Sequence, residues 1–427
     1  MAGRVQLVTR GLQDVYFTEN PEYTYFLRNF KKFTPYSKYH IEHDFEGTRD
    51  FGSTLRCTIP QNSGDLIKTM SLKVTLDAIN KTDGAFEYGY IESIGHAMIE
   101  YVDLYIGDLL VQHLPSDILQ IHSEQYVTQT KQTNLKKLIG KSDSELSGTP
   151  VNSFAFMNGN VHGKSQPFEC FVDLPFYFYN NPELSIPLCA LTKQEVQVVV
   201  KLRPENKCIC KIDSSSVVFD QTTSKNELIK SLVLDTEMIL LDSVEKTKFE
   251  TMDHEYIITQ VQSETSQIPA NETLHRMKLQ FINPVKELYF VIQRVGEDVH
   301  PFDYDNSYQL AGTFYNNYEH LKNMTIRFDE RDILNETTGN LVHLRAVQSG
   351  IHHSRTQLFR RFYSYSFALE PERWYPTGQV NLSFVKEQHL SLNLFNETSE
   401  RQLRVYALSH NILRMQDGYA KCLFGSG

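Results

Sequence analysis

The 427-residue chain is too long for one ordinary core and suits two domains of roughly 200 residues each. Phe (26) and Tyr (23), beside a single Trp, supply nearly all of its aromatic residues; that choice favours pleated strands, so the expected class is all-β. With 42 Lys plus Arg against 52 Asp plus Glu, the formal charge of -10 argues against a general binder of nucleic acid or anionic membrane, and no apolar run reaches the ~18 residues of a membrane span.

The opening MAGRVQLVTRGLQD lacks the apolar core of a signal peptide, which predicts synthesis in the cytosol. In the next stretch, GLQDVYFTENPEYTYFLRNFKKF (11 to 33), Asn20 reads as an N-cap and Pro21 as the first helical residue. Tyr23, Phe26, Leu27, Phe30 and Phe33 then fall on one helix face, with Arg28, Lys31 and Lys32 on the other side. Beyond it the period changes to two. In SLKVTLD, Leu72, Val74 and Leu76 point one way and Ser71, Lys73, Thr75 and Asp77 the other, and YVDLYIG (101 to 107) repeats the pattern. A helix is expected over PSDILQIHSEQY (115 to 126), and strands again over EVQVVVKL (195 to 202).

Residues 205 to 226 lose alternation and are rich in Ser, Thr, Lys and Asp, which predicts a linker between domains at 34–204 and 227–427, with 1–33 as an arm. A short helix is expected at SVEKTKFE (243 to 250). Strands follow at MKLQF (277 to 281), MTIRF (324 to 328), HLSLNL (389 to 394) and RVYAL (404 to 408). FVDLP (171 to 175) leads through a proline bend into EVQVVVKL, as FALEP (367 to 371) leads into HLSLNL about 190 residues later. Two copies of one antiparallel sandwich fit this echo.

Motifs for catalysis are missing. Neither GKS (140 to 142, 163 to 165) has the glycine that a phosphate loop requires five residues before its Gly-Lys. Jelly-roll metalloenzymes place histidines one residue apart on a strand, and no His-x-His occurs; His40 with His43 and His352 with His353 have the wrong spacing. No Gly-x-Ser-x-Gly elbow is present, and Asp303 with Asp305 reads as a solvated loop. Cysteines 57, 170, 189, 208, 210 and 422 fit no common zinc site and read as reduced. The expectation is no enzyme, no metal and no cofactor. Two basic-aromatic patches, LRNFKKF (27 to 33) and LFRRFYSYSF (358 to 367), read as protein-contacting surfaces rather than nucleic-acid platforms at this net charge. Sequons at Asn80, Asn271, Asn323, Asn335, Asn381 and Asn396 are candidate glycosylation sites, although the missing signal peptide does not indicate the usual route.

GLQDVYFTENPEYTYFLRNFKKFTPYS resembles the opening of the major capsid proteins of nucleocytoplasmic large DNA viruses, through Gly11, Gln13, Asp14, Tyr16, Thr18, Asn20, Pro21, Phe26, Lys31 and Lys32. IPLCALTKQEVQVVVKL (186 to 202), RWYPTGQVNLSFVKEQHLSLNL (373 to 394) and LRVYALSHNILRMQDGYAKCLF (403 to 424) are similar to further segments of that family, so the resemblance spans essentially the whole chain. Phe17, Glu19, the KKF at 31 to 33 and Thr377 depart from its common residues.

The resemblance implies two eight-stranded jelly rolls in tandem and a homotrimer of nearly hexagonal outline. Such trimers would tile a large icosahedral shell and meet neighbouring capsomers, minor capsid proteins and penton proteins. It also implies an N-terminal segment on the inner side, near an internal membrane. Tyr23, Phe26, Leu27, Phe30 and Phe33 would then dock on the rolls or a neighbouring capsomer, and Arg28, Lys31 and Lys32 would face inner partners. No sequence-specific nucleic-acid binding is expected, and assembly is expected in the host cytoplasm. The loops around 141–165 and 296–320 are the candidates for the outer face. The alternatives are a minor capsid or scaffold paralogue of the same fold, or a jelly-roll carbohydrate-binding protein.

Overall fold

The computed structural model describes residues 2–9, 11–27, 30–79, 87–141, 167–213, 216–219, 228–296, 299–304, 306–310, 313–356 and 361–425. They form two units, Met1–Tyr36 and Ser37–Gly427. The outer-face candidate at 141–165 lies almost wholly outside the described residues, as do Asn80, Asp305 and Arg28, whereas the one at 296–320 is described except at 297–298, 305 and 311–312.

The arm departs from expectation. Its helices are α1 (Ala2–Val8) and α2 (Leu12–Thr18), and no helix forms from Pro21 onward among its described residues. Asn20 adopts a left-handed φ of 51° directly after the C-cap Glu19, whose N–H still bonds the Val15 carbonyl at 2.9 Å. Asn-Pro here ends a helix rather than starting one, since a left-handed residue followed by proline is also a common helix stop. A helix over 21–33 would be near the length that is marginal in water without a packing partner, and Tyr23, Phe26, Leu27, Phe30 and Phe33 are all exposed.

The body opens with β1 (Tyr36–Asp44), β2 (Thr54–Ile59), β3 (Leu66–Leu76), β4 (Glu87–Tyr90), β5 (Ile99–Ile106) and β6 (Leu109–Pro115). It continues with β7 (Phe168–Asp173), β8 (Ile186–Pro187), β9 (Val196–Leu202), β10 (Ile209–Asp213), β11 (Ser216–Phe219) and β12 (Ile229–Leu241). The second roll has β13 (His254–Ile268), β14 (Leu274–Leu279), β15 (Pro284–Arg294), β16 (Asn306–Leu310), β17 (Thr313–Tyr318) and β18 (Leu321–Phe328). Last come β19 (Arg331–Leu334), β20 (Tyr363–Ser366), β21 (Val380–Asn381), β22 (Gln388–Leu394), β23 (Arg401–Gln416) and β24 (Tyr419–Cys422).

The first roll faces a sheet ordered β1-β12-β3-β7, with β8 on β3, against one ordered β2-β9-β5-β6. The second faces β13-β23-β15-β20, with β21 on β15 and β24 on β23, against β14-β22-β18-β19. The two orders correspond strand for strand. The proline bends after β7 and β20 lead into equivalent closing strands, β9 and β22, which is the echo in the sequence. The chain is therefore a tandem pair of antiparallel jelly rolls.

Strand placement follows the alternation. Leu72, Val74 and Leu76 of β3 are fully buried, as are Leu390, Leu392 and Leu394 of β22. The stretch read as a linker instead carries β10 and β11, and the strand after it, β12, pairs with β3 along most of its length. The sheets therefore divide after Leu241 rather than at 205–226. The connection between rolls is α6 (Ser243–Thr251), the helix expected at 243 to 250.

Three further helices sit inside the first roll: α3 (Ile94–Ala97), α4 (Ser116–Gln125) and α5 (Gln129–Ile139). A π-turn at His343–Gln348 followed by α7 (Ser349–His352) occupies the corresponding place in the second, between β19 and β20.

Candidate functional site: the joint between the rolls and the exposed arm

In the second roll's larger sheet the middle strands β15 and β23 are buried on both faces along most of their length. Val405 and Ala407 of β23 enter that roll's own core, whereas Tyr406 and Leu408 join a cluster shared with the first roll, and β15 splits the same way between Phe290 and Tyr289. The first roll meets this sheet with β6 and α4, through Val111, Leu114 and Ile118. At the turn before β24, Gly418 has φ +84°, and a Cβ there would lie 2.5 Å from Thr192 Oγ1, so this corner of the second roll closes on the first without room for a side chain.

Asp117, in the first turn of α4, is the polar centre of the joint. It accepts hydrogen bonds from Tyr304 (2.6 Å), Tyr406 (2.5 Å) and Arg404 Nε (2.7 Å) and Nη2 (3.3 Å). Burial alone would push its carboxyl up, but the Arg404 guanidinium and the hydrogen bonds of Tyr304, Tyr406 and Arg404 outweigh it and hold it below the usual carboxylate range. At the other end of α4, Arg355 bonds Glu124 at 3.0 Å and Gln125 donates to Ser349 Oγ at 2.9 Å. His353 Nε2 sits 2.6 Å from Glu287, both side chains fully buried. Burial would lower this histidine, yet Glu287 and Glu372 lift it to about 9. None of these groups stands out in the sequence, because Asp117 and Arg404 are 287 residues apart.

Sites weighed from the sequence find ordinary partners. His40 bonds Asp235 at 2.9 Å and His43 bonds Thr236 at 3.1 Å, and among the described residues no group of three His, Cys, Asp or Glu is arranged for a metal ion. Asp303 is buried and pairs with Arg294 at 3.2 Å. In the second basic-aromatic patch, Phe362 packs into the shared cluster and Tyr363 into the second roll's core, while Arg361 pairs with Glu319 at 2.7 Å. That strand is an internal contact rather than an open platform. Burial raises the Cys57 thiol to about 12 and Cys189 to about 11, as expected of inert reduced cysteines. A cavity of about 160 Å³ lies in the joint, lined by Ile118, His122, Tyr126, Tyr289 and Trp374 among others.

Outside the body, Lys31 and Lys32 are exposed together with the arm's aromatic residues, Phe26 at 99%. Of the sequons, Asn271, Asn335 and Asn396 are exposed. Asn323 accepts from Asn393 at 2.6 Å and Asn381 caps the Ser383 N–H at 3.1 Å, and both are half-buried.

Two predictions follow from the joint. Asp117→Ala should destabilise the body by ~3–5 kcal/mol, because it strands the Arg404 charge, whereas Asp117→Leu combined with Arg404→Met should recover much of that loss; chemical denaturation of the three proteins checks both. The second concerns pH. His96, His122 and His410 are all held down to about 4, each first by burial, with His96 adding to the effect at His122 and Lys286 at His410. They stay neutral when folded and gain a proton when unfolded, so stability should fall as pH drops from 6.5 toward 4, by at most ~3 kcal/mol per histidine. His353 has the opposite sign, its contribution being complete below pH 6.5 and lost as pH rises through 9. Melting temperature against pH should peak near neutrality, and His122→Gln should flatten the acid limb only.

Comparison with known proteins agrees with this architecture. Residues 24–242 match the family described as "Major capsid protein N-terminus" and residues 245–421 match "Large eukaryotic DNA virus major capsid protein", the two regions meeting where β12 ends. The chain is 28% identical over 423 residues to the major capsid protein of Pyramimonas orientalis virus, covering 97% of each. It is 24% identical to that of Paramecium bursaria Chlorella virus 1, covering 98% of each. Among solved structures, a chain of the PBCV-1 virus capsid superposes with a TM-score of 0.73 at 20% identity, covering 94% of this chain and 100% of that one. The Faustovirus major capsid protein does so with a TM-score of 0.72 at 12% identity, covering 96% and 95%. The tandem rolls, the strand order and the family matches across both halves lead to one conclusion: the chain belongs to the major capsid proteins of the nucleocytoplasmic large DNA viruses.

Proposed function

We propose that this protein assembles as a homotrimer whose six jelly rolls form a pseudo-hexagonal capsomer, and that these capsomers tile the facets of a large icosahedral shell put together in the host cytoplasm. The observation that carries the reading is the duplicated strand order joined by an apolar cluster that runs from the first roll onto the second roll's sheet: each chain brings two like rolls, so three chains supply six comparable sides. Contacts within a capsomer need to be extensive and lasting, whereas contacts between capsomers can be small and polar because many repeats add up. The function is architectural, and no enzymatic activity is proposed.

The arm is assigned to the inner side. Tyr23, Phe26, Leu27, Phe30 and Phe33 would bury against the rolls or a neighbouring capsomer, with Arg28, Lys31 and Lys32 turned to minor capsid proteins, penton proteins or an internal membrane. If glycans are attached, Asn271, Asn335 and Asn396 are the accessible acceptors among the described sequons, since Asn323 and Asn381 are half-buried.

Light scattering of the purified protein should give a mass of three chains and negative-stain images a near-hexagonal outline. A monomer at micromolar concentration would count against the capsomer and for a binding module. Deleting residues 1–33 should leave trimers intact and abolish shell assembly with the inner proteins; normal shells from the truncated chain would remove the role given to the arm.

A further inference from the structure

The cavity of about 160 Å³ in the joint is walled by both rolls: Leu114, Ile121 and Phe176 come from the first, and Val261, Tyr289 and Leu408 from the second. Its volume is close to the about 150 Å³ of an apolar protein cavity that takes up benzene. Arg373, Trp374 and Asn180 belong to the same lining and are exposed, so the cavity reaches solvent.

Two donors on this wall lack the partners that burial ordinarily demands. Lys286 is 6% exposed, and among the described residues its ammonium makes one hydrogen bond, to the Pro371 carbonyl at 2.9 Å, of the three it can donate. Tyr177 is 7% exposed, and its hydroxyl has no partner among the described residues. The other charges of the lining are engaged: Glu372 accepts from the Ser354 N–H at 2.7 Å, and Arg373 bonds Glu370 at 2.6 Å. Burial lowers His122 to about 4, which keeps it neutral. Burial also lowers Lys286, to about 8 against the pull of Glu287 and Glu372, so its ammonium persists at neutral pH. The wall thus combines apolar surface with a cation and a hydroxyl that have donors to spare, and its unmet demand is for acceptors.

We propose that this cavity binds a small carboxylate with an apolar body, of the arylacetate type, whose ring sits among Ile121, Phe176, Val261 and Leu408 and whose carboxylate accepts from Lys286. A carboxylate suits the site better than a neutral oxygen, because a hydrogen bond between two charged groups is about twice as strong as a neutral one. The Tyr177 hydroxyl remains as a donor for a further oxygen on the ligand. Water is the competing occupant; it can meet the same donors but gains nothing from the apolar walls. Because the ligand touches both rolls, its binding is coupled to their docking, and a chain whose joint has opened has no site left to fill. The inference concerns the joint within a single chain and is independent of how chains assemble.

The chain's one tryptophan, Trp374, lies in the lining and reports occupancy directly. Phenylacetate titrated into the full chain should change the Trp374 emission saturably, and at a hundred times its Kd should raise the melting temperature by ~2–5 °C. Phenylacetamide, its neutral counterpart, should bind about tenfold more weakly, and benzylamine should not bind. Lys286→Met should erase the preference for the carboxylate over the amide. Val261→Phe, which puts a ring into the cavity and leaves Lys286 in place, should abolish the response to every probe while the body still melts cooperatively. An emission that phenylacetate leaves unchanged would mean a cavity holding water alone and would overturn the proposal. So would equal binding of acid and amide by the natural protein, or a preference for the acid that survives Lys286→Met.

Discussion

One buried carboxylate decides whether the two rolls act as a single body. Asp117 takes four hydrogen bonds, all from the second roll, in a setting where an unpaired charge would cost several kcal/mol. Apolar contacts between Ile118 and its neighbours would tolerate sliding, because burial has no direction. A carboxylate that must meet two phenols and a guanidinium at once does not tolerate it. The apolar cluster supplies the joint's adhesion, and Asp117 supplies its register. A shell subunit needs that register, since an error in the angle between rolls would be repeated in every copy.

The joint also explains why two copies of one fold have diverged in their surfaces. The middle strands of the second roll's larger sheet are covered on both faces, so Tyr289, Val291, Tyr406 and Leu408 occupy positions where a one-sided sheet would carry polar residues. The equivalent face of the first roll carries Lys38, Lys68, Asp235 and Glu237 in paired charges. Strand order has been kept while the outward positions have been fitted to different neighbours. Duplication fixed the scaffold, and contact set the chemistry of each face.

What was legible in the sequence follows the same division. Leu72, Val74 and Leu76, or Leu390, Leu392 and Leu394, announce their strands because alternation reports burial on one face, a local property. The repeat was visible for the same reason, through the proline bends and closing strands. The roll boundary is not legible locally: residues 205–226 have a linker's polar composition, yet β10, β11 and β12 owe their places to partners as distant as β3. The Asn20–Pro21 pair is ambiguous in sequence because its signals serve either end of a helix, and only the left-handed backbone at Asn20 decides between them. The joint left no trace, since Asp117 and Arg404 are brought together only by the docking of two finished domains.

The arm is the opposite case from the joint. At 36 residues it is below the size at which a chain usually buries enough surface to hold itself together, and its aromatic residues are exposed along its length. Local chemistry therefore stops at two short helices, and the residues Tyr23, Phe26, Leu27, Phe30 and Phe33 stay exposed, with only neighbouring ring contacts among the described residues, Tyr23 on Tyr25 and Phe33 on Tyr36. Such a segment gains order from whatever covers it, and the conformational entropy it gives up then is drawn from the free energy of that contact. In a shell this has a use. On the inner-side reading proposed above, a strongly self-structured arm would bind its partners early and lock errors in place, whereas one whose order is completed by its neighbours would contribute fully only when those neighbours are correctly seated.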